Sequence, residues 1–248
     1  EKLVLGTIIP AGSRMQGGEQ VLDVLASHPS TARFICTKLV RMFISDTPAD
    51  GIINECSTVF LNAKDDADQI AQVVDTILHS DAFADTQNFH GKLKTPLEFI
   101  GSVVRNINAV ASSRDTQDAL NNMGMPLFLN PIPTGWSETG PTWLNSNQLL
   151  QRLLFANRVA FNRTGSSNTF VDNPSGIFTD RGYETLEGVV GYLFYLALSL
   201  DYTELEWNEA VSLLTDNGSS QFDIFDESAD NRIRKLIGFV FSFPNYQL

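Results

Sequence analysis

The sequence contains few positively charged residues. It has 17 lysines and arginines against 29 aspartates and glutamates, so the 248-residue chain carries a formal net charge of −12 at pH 7. Nucleic acids and anionic membranes are bound through clusters of basic side chains, and a chain this acidic offers no such footprint. The composition therefore argues against both as partners, and a surface kept soluble by like charge is a sufficient explanation of it.

Long hydrophobic runs are also absent. The longest, at residues 189–198, is well short of the roughly 18–20 apolar residues of a membrane-spanning helix, and a buried core helix explains it better. No signal peptide is recognisable, and the first residue is Glu1 rather than a methionine. We therefore expect a chain without a membrane span, which is either a mature product or a fragment of something longer.

Cysteine is scarce, and the two cysteines that are present, Cys36 and Cys56, are too few to define a disulfide framework. Both fall on apolar faces of consecutive predicted helices. Two reduced thiols buried in the core account for this placement. A single bridge between them accounts for it equally well, and it would require an oxidising compartment.

Histidine is scarce too, and the three histidines, His28, His79 and His90, show no metal-ligand spacing. We therefore predict no metal site and no cofactor. His28 directly precedes Pro29, and we predict that its side chain anchors this turn through a hydrogen bond. Patterns typical of a serine nucleophile or of a nucleotide-binding loop are absent as well, which favours a protein that is not an enzyme.

Apolar residues recur at helical spacing along most of the chain, and about nine helices are recognised in this way. Two helix starts are predicted from capping residues, Asp50 for one and the pair Thr203 and Glu206 for the other. Another helix is recognised from Leu149, Leu150, Leu153, Leu154 and Ala160. Residues 1–10 are expected to include a short strand. The predicted fold class is mainly α, with a single compact helical domain over residues 1–248.

Two segments interrupt the helical pattern. In the first, residues 121–145, prolines and glycines are spaced so that no regular helix can form. Its aromatic residues Phe128, Trp136 and Trp143 indicate a long ordered loop packed across the core, because a solvated linker rarely carries two tryptophans. The second, residues 162–182, is polar and is predicted to be a flexible loop or insertion.

Polar residues around one predicted helix start form the candidate site. Pro96 suits the first turn of this helix, Lys94 lies just before it, and Glu98 and Arg105 are two turns apart on one face. Trp136 comes from the irregular segment. One interpretation is a structural ionic network that fixes this segment on the core. The other is a binding site for an anion or a carbohydrate, with Trp136 as a stacking platform.

Several segments, in combination and order, resemble the C-terminal half of a bacterial family of uncharacterised exported proteins, the DUF1800 family. They include Lys94-Thr95-Pro96-Leu97-Glu98-Phe99, Pro133-Thr134-Gly135-Trp136, and residues 28–35, 38–39, 123–128 and 241–248. Family members are usually about twice as long, so the resemblance implies that this chain is part of a longer protein. Met125 stands where the family often has glutamine, which weakens any polar role at that position.

The resemblance implies a compartment and a partner but no reaction. Family members resemble exported proteins, so a periplasmic or extracellular location is expected. They are often encoded beside a second exported family that looks like alkaline phosphatases and sulfatases, which implies an exported protein of that kind as a partner.

Three hypotheses for the function follow from these observations. The first is an exported scaffold or binding module that acts with another exported protein. The second is an enzyme acting on an extracellular polymer or glycan, with its site at Lys94, Glu98, Arg105 and Trp136. The third is a structural subunit of a surface assembly.

Overall fold

A computed structural model describes residues 1–111, 113–163 and 170–248. Over these residues the chain forms twelve α-helices, three short 3-10 helices and one two-stranded sheet. This confirms the predicted mainly α class and the short N-terminal strand. No described helix is both long and apolar enough to cross a bilayer. The contacts of the chain divide it into two units, Glu1–Lys92 (unit 1) and Leu93–Leu248 (unit 2).

Unit 1 begins with a β-hairpin and continues as a run of helices. The hairpin pairs Lys2 with Ile9 and Val4 with Thr7. Both residues of its turn, Leu5 and Gly6, have positive φ, as a two-residue hairpin turn requires. The elements are β1 Lys2–Val4, β2 Thr7–Ile9, α1 Arg14–Ala26, α2 Pro29–Phe43, α3 Asp50–Asn62, α4 Gln69–Leu78 and α5 Asp81–Ala84, followed by a 3-10 turn at Thr86–Asn88.

The core of unit 1 lies among α2, α3 and α4 and encloses Cys36 and Cys56. The prediction that Asp50 caps α3 is wrong, since Ala49 holds the capping position and Asp50 is the first helical residue. The Asp50 carboxylate instead accepts a hydrogen bond of 2.6 Å from the guanidinium of Arg33 on α2.

Unit 2 consists of seven α-helices over its described residues. They are α6 Pro96–Asn106, α7 Ser113–Asn122, α8 Ser146–Ala160, α9 Gly176–Thr179, α10 Leu186–Leu198, α11 Glu204–Leu214 and α12 Ala229–Val240, with 3-10 turns at Gly140–Trp143 and Pro244–Gln247. Helices α8 and α12 approach closely at Gly238, where an added Cβ atom would lie 3.1 Å from the Asn157 side chain. The predicted capping box of Thr203 and Glu206 at the start of α11 is confirmed.

Helix α8 is present as predicted, and of the apolar residues that mark it in the sequence only Ala160 is fully buried. Leu150 and Leu154 are each about half exposed, at 52% and 51%. The buried face consists of Gln148, Arg152, Phe155, Ala156, Val159 and Ala160. Two polar side chains, Gln148 and Arg152, thus occupy the inward face, where they form hydrogen bonds.

The irregular segments contain more structure than the sequence suggested. The loop after α7 is ordered and ends in the 3-10 turn that buries Trp143. The predicted polar insertion at 162–182 is described only outside residues 164–169. Its remaining part includes α9 and four buried apolar residues, Phe170, Val171, Ile177 and Phe178, that belong to the main core of unit 2.

Candidate functional site

The start of α6 is fixed by the chemistry of its first residues. Thr95 Oγ1 accepts a hydrogen bond from the backbone N–H of Glu98 at 3.3 Å, and the Thr95 N–H donates to Glu98 Oε2 at 2.8 Å. This reciprocal pair is a capping box, and it satisfies two backbone donors that the first turn would otherwise leave without partners. Pro96 occupies the first turn, as predicted. Glu98 therefore has a structural role that the sequence analysis did not identify.

Lys94 binds the segment at residues 246–248. Its Nζ donates to the backbone oxygens of Tyr246, at 2.7 Å, and of Leu248. Its backbone N–H donates to the carbonyl oxygen of Gln247 at 2.8 Å. The ammonium group also lies 4.8 Å from the centre of the Tyr246 ring, within range of a cation–π interaction.

Arg152, on α8, is completely buried and completes the arrangement. Its Nη2 donates to the carbonyl oxygen of Lys94 at 2.5 Å, and its Nη1 donates to Gln247 Oε1 at 3.4 Å. The guanidinium carbon lies 5.1 Å from the centre of the Phe99 ring. We call Lys94, Arg152 and the segment 246–248 the cationic clamp, because both cations donate hydrogen bonds to oxygen atoms of this segment.

The side chains of Tyr246 and Gln247 also bind α6 and the residues that follow α12. Tyr246 donates its hydroxyl hydrogen to Ser102 Oγ at 3.1 Å and accepts a hydrogen bond from Asn106 Nδ2 at 3.4 Å. The buried Gln247 donates through Nε2 to the carbonyl oxygens of Phe241 and Phe243. Helices α6 and α8 thus hold the segment through both its backbone and its side chains.

The clamp perturbs the protonation of its own groups. Burial and, to a smaller extent, the charge of Arg152 lower the pKa of Lys94 to about 8, against the opposing effect of the nearby Glu98 charge. Burial also lowers the pKa of Arg152 to about 10, again opposed by Glu98. Burial raises the pKa of the Tyr246 hydroxyl above its ordinary value, while its hydrogen bond to Ser102 acts in the opposite direction.

The structure does not join all four predicted polar residues. Over the described residues, no hydrogen bond, ion pair or ring contact links Arg105 or Trp136 to Lys94 or Glu98. Arg105 is exposed near the end of α6. Trp136 packs edge-on against Trp143, with ring centres 6.1 Å apart.

Arg152 and Gln247 are the clamp residues that the sequence analysis missed. A clue exists in α8, where Gln148 and Arg152 are one turn apart on a face that continues with Phe155, Ala156 and Val159. Two long polar side chains in line with buried apolar positions indicate hydrogen bonding inside the core.

The remaining residues singled out in the sequence form contacts that stabilise the fold. His28 is the residue before α2, and its Nδ1 accepts a hydrogen bond from the Ser30 N–H at 3.1 Å, while Pro29 fills the first turn. Cys36 and Cys56 form a disulfide with Cα atoms 5.8 Å apart. Over the described ranges, no group of three or more His, Cys, Asp or Glu side chains is placed to hold a metal ion.

A second feature of unit 2 is the loop formed by residues 126–133, the Phe128 loop. The backbone N–H of Leu129 donates to the carbonyl oxygen of Pro126 at 3.2 Å, which closes a four-residue turn. Phe128 is the third residue of this turn and has a φ of +61°. Its side chain is 99% exposed.

The fold and the clamp define a class: a mainly α-helical protein in which one buried cation, Arg152, and one partly buried cation, Lys94, bind one peptide segment. The chain belongs to the DUF1800 family, described as proteins of unknown function, and the family model matches residues 1–248. No curated protein and no solved structure matches the chain.

Proposed function

We propose that this chain is a binding module that acts with another protein outside the reducing cytoplasm, and that the Phe128 loop is its main contact. The observation that carries the proposal is the conformation of Phe128. A bulky side chain is rarely found at positive φ, and the third position of such a turn favours glycine or asparagine. Residues held in this way cost about 1–3 kcal/mol each and are concentrated at functional sites.

Full exposure of the same side chain adds a second cost. Burying a phenylalanine side chain is worth about 1.5–3 kcal/mol, and Phe128 forgoes this gain within its own chain. Two neighbours, Leu129 and Ile132, are also mostly exposed, at 68% and 57%. The loop therefore presents three large apolar side chains together, which suits insertion into an apolar groove of a partner.

The loop is also held in one shape before any partner arrives. The Ile132 N–H donates to Asn130 Oδ1 at 3.0 Å. At its near end, Gln148 Nε2 donates to the Met123 carbonyl oxygen at 3.2 Å. At its far end, the buried Trp143 donates through Nε1 to the Ser137 carbonyl oxygen at 3.0 Å. A loop whose flanking residues are held by hydrogen bonds loses less conformational entropy on binding, so more of the contact energy appears as affinity.

The disulfide supports the proposed compartment. Bridges persist in the periplasm and outside the cell and are rare in the cytosol. A periplasmic or extracellular location also agrees with the resemblance to exported family members, and the partner we propose is an exported protein of the phosphatase- or sulfatase-like kind. The acidic composition of the chain supports a protein partner rather than a nucleic acid.

The test compares Phe128→Asn with the matched control Phe225→Asn. Phe225 is another exposed phenylalanine of unit 2, at 72%, and its φ is not positive. Each tagged protein is incubated with bacterial envelope extract, and the bound proteins are quantified by mass spectrometry. We expect one protein to be retained by the wild type and by Phe225→Asn and to be lost with Phe128→Asn.

Two results would overturn the proposal. The first is equal retention of the same protein by Phe128→Asn and the wild type. The second is that no protein is enriched by the wild type over a tag-only control. A retained protein that is not of the phosphatase- or sulfatase-like kind would leave the Phe128 contact in place and overturn only the partner assignment.

A further inference from the structure

Unit 1 contains a surface cleft that takes no part in the clamp or the Phe128 loop. It lies where the end of α1, the first half of α2, the end of α3 and the start of α4 meet, and its volume is about 710 Å³. Sites for small molecules typically occupy about 300–1,000 Å³. We call it the Asp65 cleft after the carboxylate at its rim.

The cleft has an apolar wall. Ile35 of α2, Phe60 of α3 and Ile70 of α4 all line it. Phe60 is buried in the core, whereas Ile70 is 49% exposed. A short hydrocarbon chain placed against these side chains would remove apolar surface from water on both partners.

Apart from the Lys64 ammonium group and one Gln69 hydrogen, the polar rim offers hydrogen-bond acceptors, because its hydroxyl donors are already used within unit 1. Ser27 Oγ donates to the Asp23 carbonyl oxygen at 2.8 Å, and Thr31 Oγ1 donates to the Leu25 carbonyl oxygen at 2.7 Å. Gln69 donates one of its two Nε2 hydrogens to the Phe60 carbonyl oxygen at 2.7 Å. A ligand that supplies donors is therefore better matched to the rim than one that supplies acceptors.

The charges of the rim favour the same kind of ligand. Asp23, Lys64 and Asp65 all line the cleft, so carboxylates outnumber ammonium groups by two to one. Lys64 Nζ lies 3.5 Å from Asp65 Oδ2, and its charge is thus partly matched already. The Asp23 carboxylate accepts no hydrogen bond from the described residues.

We propose that the Asp65 cleft binds a small organic ammonium ion with a short apolar chain. The ammonium group donates to the carboxylates of Asp23 and Asp65, and the chain lies on Ile35, Phe60 and Ile70. This site is independent of the proposed partner contact, since the Phe128 loop belongs to unit 2.

The test uses three probes that share a six-carbon chain and differ in charge: hexylammonium chloride, 1-hexanol and sodium hexanoate. Binding to the full chain is followed by NMR through the backbone amide shifts of residues 23–31 and 64–70. We expect saturable shifts with hexylammonium, at least tenfold weaker binding of hexanol and none of hexanoate. Because the carboxylates are at the surface, the affinity for hexylammonium should fall as salt is raised.

Variants test the carboxylates and the apolar wall of the cleft separately. Asp23→Asn and Asp65→Asn should each weaken hexylammonium binding about two- to fivefold, the range expected for exposed ion pairs, and together about tenfold. Ile70→Ser should weaken hexylammonium binding more than methylammonium binding. Glu55→Gln removes one negative charge from an exposed position of α3 that does not line the cleft, and it should leave the affinity unchanged.

The proposal fails if hexanol or hexanoate binds as well as hexylammonium, or if the double aspartate variant binds like Glu55→Gln. Capped lysine, Nα-acetyl-lysine methylamide, carries the same ammonium group with the amide groups of a peptide. Tighter binding of capped lysine than of hexylammonium would assign the cleft to a protein side chain and overturn the small-ligand assignment.

Discussion

The two units stabilise their interiors by different means. The core cluster of unit 1 contains ten buried residues over its described length, and two of them are the bridged cysteines. The main cluster of unit 2 contains thirty over its described residues. In addition, unit 2 buries the whole of Arg152 and binds it to carbonyl oxygens.

The difference shows that the size of a unit's core limits how much unfavourable free energy, from buried charge or backbone strain, the unit can offset. A small core buries a smaller fraction of its surface and gains most from a covalent bridge. A larger core can offset the desolvation of a buried cation and the backbone strain of Phe128, each of which costs several kcal/mol at most. We therefore expect unit 1 to depend on its bridge and unit 2 to depend on its clamp.

The largest expected effect is that of Arg152→Ala, which removes the clamp from unit 2. The truncation leaves Lys94 O and Gln247 Oε1 without their buried donors and opens a cavity beside Phe99. Unsatisfied buried groups cost about 1–3 kcal/mol each, so the free energy of unfolding should fall by about 3–5 kcal/mol.

Urea denaturation measures this change, and Arg158→Ala is its control. Arg158 is on the same helix, is only partly buried and forms no side-chain hydrogen bond with the described residues. Truncation of Arg158 should lower the free energy of unfolding by less than 1 kcal/mol. Equal losses for the two variants would mean that the clamp contributes nothing beyond general packing.

The sequence predicted the clamp only in part, and the reason is the distance along the chain between its members. Lys94 was recognisable as a candidate because Pro96 marks the helix start locally. Arg152 was missed because its contacts with Lys94 and Gln247 are 58 and 95 residues apart in sequence. No periodicity or local motif encodes such pairs.

The helices follow the same logic. The nine predicted helices correspond to segments with long apolar stripes. Helix α7 was missed because it contains only two apolar residues, Ala119 and Leu120, which are too few to show a helical pattern. Helices α5 and α9 have four residues each, too few to show a helical period. The buried face of α8 could not be read from its leucines, since Arg152 and Gln148 lie inward among apolar positions.

The second prediction tests the dependence of unit 1 on its bridge. The double variant Cys36→Ala, Cys56→Ala removes a link between residues separated by 20 positions. In the chain-entropy account, closing a loop of this size stabilises the folded state by about 3 kcal/mol. Hydrogen exchange should show protection lost across α2 and α3, with the helices of unit 2 unchanged.

Two hydrogen-exchange results would contradict this difference between the units. If protection fell equally in both units, their stabilities would not be separable. If it fell in neither, the ten-residue core of unit 1 would be sufficient without its bridge.

The third prediction concerns pH and the clamp. The pKa of Lys94 is about 8 in the folded chain, against its usual 10.5. Between these values the unfolded chain binds more protons than the folded chain, so the free energy of unfolding rises with pH from about 8 to 10. The rise should be on the order of 1 kcal/mol once screening at this partly exposed group is allowed for.

Above about pH 10 two groups act in opposite directions: the lowered pKa of Arg152 lets the folded chain release that proton first, which favours folding, and Tyr246 opposes it. The raised pKa of Tyr246 means that the unfolded chain loses this phenolic proton first, which favours unfolding. Urea titrations at several pH values measure the free energy of unfolding in both pH ranges. Lys94→Met should remove the rise between pH 8 and 10, whereas Lys235→Met, at an exposed position of α12, should retain it. A rise that persists in Lys94→Met would belong to another group.

The smallest expected effect concerns the strained turn of unit 2. Asparagine adopts positive φ more readily than phenylalanine, so Phe128→Asn should raise the free energy of unfolding by about 0.5–1 kcal/mol. Phe225→Asn should produce no such rise, because φ at that exposed position is not positive. A fall in stability for Phe128→Asn would show that the aromatic ring supports the fold. A rise together with lost partner binding would mean that unit 2 gives up stability at Phe128 to present that side chain, which its large core allows.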